Sequence, residues 1–175
     1  MTDLRYPIGS LKMDDNITSE KRRQYIDQFE ETPVKLRQAV GGLSLSQLDT
    51  PYRPEGWTIR QVVHHLADSH TNAYIRFKMA LTEETPTVKS YAQERWAELE
   101  DSRTAPVEAS LFLFEGLYER WTVLLRSLGP EGFARTLNHP DWGLIRLEGY
   151  LSVCVWHGMH HIAHINSLRQ RMNWE

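Results

Sequence analysis

The sequence predicts an all-α protein, an up-and-down four-helix bundle with a small β-hairpin ahead of its last helix, and three observations carry that reading. Four stretches of about 20–25 residues repeat apolar side chains at helical spacing. Prolines and glycines separate them. Residues 133–147 instead alternate polar and apolar residues around Pro140-Asp141-Trp142-Gly143, the pattern of a hairpin.

The chain up to about Asn16 is polar, contains a Tyr6-Pro-Ile-Gly turn, and is expected to drape over the surface. A first helix is expected over about 18–40, with Tyr25, Phe29, Leu36 and Val40 as its apolar stripe and Gly41-Gly42 as its stop. Pro33 should kink or divide it, because proline removes a hydrogen bond and crowds the preceding turn. Residues 43–57 carry Pro51, Pro54 and Gly56 and read as loop with at most one helical turn. Thr58 opens the second helix with a capping box, since Gln61 stands three residues on, and that helix runs to about 82. Residues 84–106 form a long, partly helical connection around 91–99, of a length that often covers one end of a site. The third helix starts near Pro106, an apt first-turn residue, and runs to 128, where Gly129-Pro130 ends it. The last helix spans about 148–172.

A chain of 175 residues with 41% apolar content suits one domain over 1–175. Net charge is -3 with both signs interleaved, so no electrostatic footprint for nucleic acid or an anionic membrane is present, and the expected partner is a small molecule or another protein. The N-terminal residues lack a signal-peptide apolar run, and no stretch reaches the roughly 20 apolar residues of a membrane span, which points to the cytoplasm. Cys154 is the single cysteine, so no intramolecular disulfide forms, and among Leu151, Val153 and Val155 it reads as a small buried hydrophobe.

Histidine is the unusual entry in the composition. Of eight, His64, His65 and His70 fall on the second helix and His157, His160, His161 and His164 on the last. On the last helix His161 lies roughly 60° and His157 roughly 100° from the apolar direction, against roughly 120° for His164 and 160° for His160. His157 and His161 are therefore the inward pair, and four-residue spacing stacks them on one face. On the second helix His65 sits at the apolar border, roughly 110° from its centre, while His64 points away at roughly 150°. His70 lies within about 35° of that centre, so periodicity leaves it open as a ligand or a core histidine. Three histidines converging in an apolar bundle would each need a hydrogen-bond partner, whereas one ion satisfies all three.

The run Trp57-Thr-Ile-Arg-Gln-Val-Val-His-His-Leu-Ala-Asp-Ser-His70, together with Val155-Trp-His-Gly-Met-His-His-Ile-Ala-His164, resembles the YfiT-like proteins of the DinB superfamily. The Tyr6-Pro-Ile-Gly turn and Leu48-Asp-Thr-Pro-Tyr-Arg extend the resemblance over nearly the whole chain. It implies a four-helix bundle, a homodimer, metal-dependent hydrolase activity, and a zinc or nickel ion on one histidine of the second helix and an HxxxH pair on the last. Matched by position, these ligands are His65, His157 and His161.

Three imidazoles leave a divalent transition metal an open coordination position, the mark of a catalytic rather than a structural site. Zinc is the first expectation and nickel the second. In the first reading, metal-bound hydroxide attacks an ester, amide or similar bond of a small-molecule substrate, with His64, Asp68 or His160 behind the ligands or carrying protons. In the second, the metal activates a low-molecular-weight thiol such as bacillithiol for S-transfer. That cofactor needs a polar or basic groove, for which Arg53, Arg60, Arg76 and Lys78 are available. In a third, the chain is a non-catalytic, metal-stabilised interaction module, whose mark would be a fourth protein ligand such as His70 or Asp68.

Overall fold

The computed structural model describes residues 3–13 and 17–174. The part of the expected polar tail at residues 1–2 and 14–16 lies outside the described residues.

The first helix, α1 (Ser19–Val40), is capped by Thr18, whose hydroxyl accepts from the Lys21 amide. Pro33 lies inside it, yet α1 runs as one helix and is not divided there. Buried Ile26 and Phe29 on one side of the proline and Leu36 and Val40 on the other hold both halves to the core, which offsets the lost hydrogen bond. The single turn α2 (Leu45–Leu48) follows, and then α3 (Ile59–Thr82), opened by the expected Thr58–Gln61 capping box. The connection after it holds two short helices, α4 (Gln93–Trp96) and α5 (Glu100–Thr104). Pro106 caps α6 (Val107–Ser127), and one further turn, α7 (Pro130–Phe133), begins at Pro130. The hairpin pairs β1 (Thr136–His139) with β2 (Gly143–Arg146), Leu137 opposite Ile145, and leads directly into α8 (Leu147–Met172).

The four long helices close a bundle in which α1 packs on α6 and α8, and α3 packs on the same two. Successive long helices α1 and α3 thus lie across a diagonal, as do α6 and α8. The long links 41–58 and 128–146 make those two crossings. The consequence is that α3 and α8, distant in sequence, share a face.

The core is aromatic: Trp121, Phe29, Phe77 and Phe114 are almost fully buried, and Phe29 stacks on Tyr118 with ring centroids 4.0 Å apart. Truncating one of these to alanine costs ~3–5 kcal/mol. Beyond α3, the Val88 amide donates to the Asn138 carbonyl and the Asn138 amide to the Pro86 carbonyl, which lays the link against β1, so the hairpin and residues 86–91 form one wall beside the bundle. Among the described residues no helix is long and apolar enough to cross a membrane.

Candidate metal centre

The shared face of α3 and α8 brings His65 together with His157 and His161, with one ring nitrogen from each within 4.8 Å of the others. His65 Nε2 lies 3.2 Å from His157 Nε2, and the three ring centroids are 4.7–5.2 Å apart. Two nitrogens bound at about 2.1 Å to one tetrahedral ion are ~3.4 Å apart, so this spacing suits a shared metal. Burial disfavours the imidazolium forms: it pushes His65 down to about 3 and holds His157 and His161 well below the ordinary histidine value. All three rings are neutral at pH 7 and have lone pairs to give.

What stands behind the rings decides which nitrogen carries the proton. Tyr118 Oη lies 2.8 Å from His70 Nδ1, and His70 Nε2 lies 3.2 Å from His157 Nδ1. Thr32 stands beside the Tyr118 phenol, and its own hydroxyl donates to the Gln28 carbonyl at 2.9 Å. That carbonyl can only accept, so Thr32 has no proton to give the phenol; with the phenol donating to Thr32, it accepts from His70 Nδ1, and His70 Nε2 accepts from His157 Nδ1. The Nε2 lone pair of His157 is thereby left facing His65. His161 is held in the same sense. His164 Nε2 donates to the Arg5 carbonyl at 3.2 Å, and because burial keeps the His164 ring neutral, its Nδ1 accepts from His161 Nδ1 at 3.4 Å. A proton fixed on Nδ1 leaves Nε2 free to ligate, the usual arrangement around metal-binding histidines.

The relay depends on close approach of α1 to α8. A Cβ on Gly158 would stand 2.8 Å from Thr32 Cγ2 and 3.5 Å from the Tyr118 hydroxyl, so glycine is what lets Thr32 reach the tyrosine.

Two cavities open on the centre. One, of about 380 Å³, is lined by His70, Arg76, Tyr91, His139, Trp142, Cys154 and His157 among others. The second, of about 360 Å³, is lined by Arg5, Tyr52, Arg53, Trp57 and all of His65, His157, His160, His161 and His164. His157 and Gln93 belong to both walls.

The remaining residues singled out by sequence are placed as follows. His64 faces away, with Nδ1 2.7 Å from Ser110 Oγ and Nε2 3.1 Å from the Ala105 carbonyl, so it joins α3 to the start of α6. Asp68 is half-buried, raised above its ordinary value by burial and then by Asp101, and lines neither cavity. His160 stacks on Trp156 at 4.3 Å, its buried Nδ1 has no hydrogen-bond partner, and burial pushes it down to about 4. Cys154 is buried and its thiol is pushed up to about 12 by burial, so it is no thiolate at neutral pH. Arg60 is tied to Asp49 and the Ala105 carbonyl, and Lys78 lies over the Tyr74 ring, which leaves Arg53 and Arg76 beside the cavities. Sequence reasoning missed Tyr118 and the Arg5 carbonyl. The only signal for Tyr118 was a phenol on the apolar face of α6, between Phe114 and Trp121, that needs a partner once buried.

Fold and site together define a helical bundle with a histidine-lined centre at the joint of two cavities. The chain belongs to the DinB superfamily, whose profile matches residues 28–165. It is 53% identical over 173 residues to the Bacillus subtilis (strain 168) protein named "Putative metal-dependent hydrolase YfiT", which covers 98% of this chain and 97% of the relative. A Bacillus cereus (strain AH820) protein with the same description is 52% identical over 174 residues, 99% of this chain and all of the relative. The solved structure of YfiT from Bacillus subtilis superimposes with a TM-score of 0.96 over 98% of this chain and 99% of that one, and is described as a probable metal-dependent hydrolase with an unusual four-helix bundle topology. The diagonal succession of α1 to α3 and α6 to α8 is the topological feature of the present chain that departs from a simple up-and-down order.

Proposed function

We propose that this chain is a metal-dependent hydrolase in which His65, His157 and His161 hold one divalent transition metal, zinc first and nickel second, and that it acts on a small-molecule substrate. The observation that carries the reading is the convergence of His65, His157 and His161, one ring nitrogen from each within 4.8 Å of the others and all three rings held neutral by burial. Bound there, the ion supplies Lewis acidity and lowers the pKa of coordinated water to about 7. The protein's part is to exclude bulk water with Trp57 and Tyr52 around the smaller cavity, whose wall His160, a neutral ring, also lines.

A non-catalytic, metal-closed module is disfavoured by the same contacts. Both ring nitrogens of His70 are engaged, by His157 and Tyr118, and Asp68 does not belong to the converging group, so neither closes the coordination sphere. The thiol S-transferase reading is favoured by one observation, the presence of two separate chambers that meet at His157, which suits a thiol and an electrophile approaching from different sides. We carry the homodimer implied by the family resemblance into the proposal as well.

The test is elemental analysis of the purified chain beside His65→Ala and His157→Ala, followed by turnover of ester and amide substrates with and without a bacillithiol-type thiol. About one metal per chain, lost in both variants, with thiol-independent turnover supports the hydrolase. Turnover only with thiol moves the function to S-transfer, and a chain that binds neither zinc nor nickel removes both readings.

A further inference from the structure

The larger cavity, which His157 also lines, has in its wall Arg76 of α3, His139 at the end of β1 and Trp142 in the hairpin turn. Arg76 is the only lysine or arginine lining that cavity, and among the described residues it forms no ion pair with a carboxylate. Its guanidinium is held by neutral acceptors: it donates to Tyr150 Oη at 3.1 Å and to the Lys89 carbonyl. A half-buried cation offset only by dipoles retains an unmet demand for a negative partner.

The third contact of Arg76 sharpens the point. The Asp141 amide donates to His139 Nδ1 at 3.2 Å, so the neutral ring carries its proton on Nε2. His139 is neutral because burial and the neighbouring Arg76 both hold it below its ordinary value. Its Nε2–H then lies 3.4 Å from Arg76 Nη1, a donor facing a donor. The lining carboxylate, Asp141, does not resolve this. Its side chain is 65% exposed, and its carboxylate faces the other side of the His139 ring, 3.7 Å from Nδ1.

We infer that this corner is an anion subsite, in which Arg76 Nη1 and His139 Nε2 together bind the carboxylate of a small organic acid whose apolar or aromatic body lies along Trp142 and Tyr91. The further step, that the far end of such an acid reaches the metal at His157, rests on the function proposed above; the anion subsite itself does not. Guanidinium and imidazole N–H converging on one oxyanion give short, charge-assisted bonds, and Trp142, stacked on His139 at 4.3 Å, keeps the imidazole in place. The corner therefore discriminates acids from their neutral amides.

The experiment titrates 4-phenylbutyrate and 4-phenylbutanamide onto the full chain by calorimetry, first metal-free in chelator and then zinc-loaded. We expect the acid to bind the metal-free protein about tenfold or more tightly than the amide. The preference should vanish in Arg76→Gln and fall in His139→Phe, which keeps the ring stacked on Trp142 but removes the donor. Should Arg76→Gln fail to fold, the wild-type preference and its loss in His139→Phe decide. Equal affinity for acid and amide in the metal-free wild type, no saturable binding of the acid, or a preference that survives both substitutions overturns the subsite. Acid preference only in the zinc-loaded protein also overturns it, since the carboxylate is then binding the metal. Failure to bind zinc at all strikes the metal reading and leaves the metal-free comparison intact.

Discussion

His70 Nε2 stands 3.2 Å from His157 Nδ1, and with Tyr118 on its other nitrogen His70 sets the proton position of a proposed ligand without being one. Replacing Tyr118 with phenylalanine removes the acceptor for His70 Nδ1–H. The ring then gains by moving its proton to Nε2, which turns it into a donor toward His157 and drives the His157 proton onto the ligating nitrogen. Tyr118→Phe should weaken zinc affinity by ~10–100-fold, measured by competition with a calibrated chelator. A merely structural tyrosine would lower the melting temperature of the metal-free chain and leave affinity alone, and that result would sink the relay.

His157→Ala and His161→Ala should each lose most bound metal and, with it, the thermal shift on adding zinc. That shift is worth ~2.7 kcal/mol in wild type when free metal is a hundredfold above its dissociation constant. His64→Ala should keep a full equivalent of metal while destabilising the metal-free chain by ~1–3 kcal/mol, because Ser110 and the Ala105 carbonyl lose their partner. Metal lost in the His64 variant and retained in the other two would displace the site by a helical face.

Much of this arrangement was legible in the residues themselves. The capping box at Thr58, the stop after Val40 and the hairpin at Pro140-Asp141-Trp142-Gly143 are local signals, and each element stands where they place it. Helical periodicity aimed His157 and His161 inward and left His65 and His70 competing. The structure sends both toward His157, from opposite sides: His65 to its Nε2, His70 to its Nδ1. A periodicity angle gives a direction from a helix axis, whereas the two roles depend on which helices flank that direction. Tyr118 and Thr32 were out of reach for the same reason, since α6 and α1 meet the site only through the diagonal order of the bundle. The turn at Pro130 was read as a plain stop, although proline is well suited to a first helical position.

Gly158→Ala tests the packing under the relay. The added methyl would lie 2.8 Å from Thr32 Cγ2, and Thr32, wholly buried on α1, has little room to retreat. Overpacking of this kind costs ~1–3 kcal/mol. The expected outcome is a lower denaturation midpoint together with weaker zinc binding, because moving Thr32 disturbs Tyr118. The double variant Gly158→Ala with Thr32→Ser, which removes the clashing methyl and keeps the hydroxyl, should recover both. Recovery of stability without recovery of metal affinity would separate the glycine from the relay.

All eight histidines are held below their ordinary value of 6.5, burial being the largest cause in each. A depressed histidine stays neutral in the fold and takes up a proton once unfolded, so as pH falls below 6.5 the unfolded chain binds more protons and stability drops. The loss continues down to the folded values, about 4 for His160 and His164 and about 3 for His65. Asp68, raised by burial, works in the opposite sense, but it is one group against eight histidines. Each histidine still neutral at pH 5 costs the metal-free fold ~2 kcal/mol there. The melting temperature in chelator should therefore fall by about 10 °C or more from pH 7.5 to pH 5. Zinc should raise it at pH 7.5 and progressively less below pH 6.5, because protons and metal compete for His65, His157 and His161. A melting temperature that is flat across this range in chelator would mean that the histidines are solvated and charged in the fold, and the neutral, lone-pair-bearing cluster would have to be abandoned.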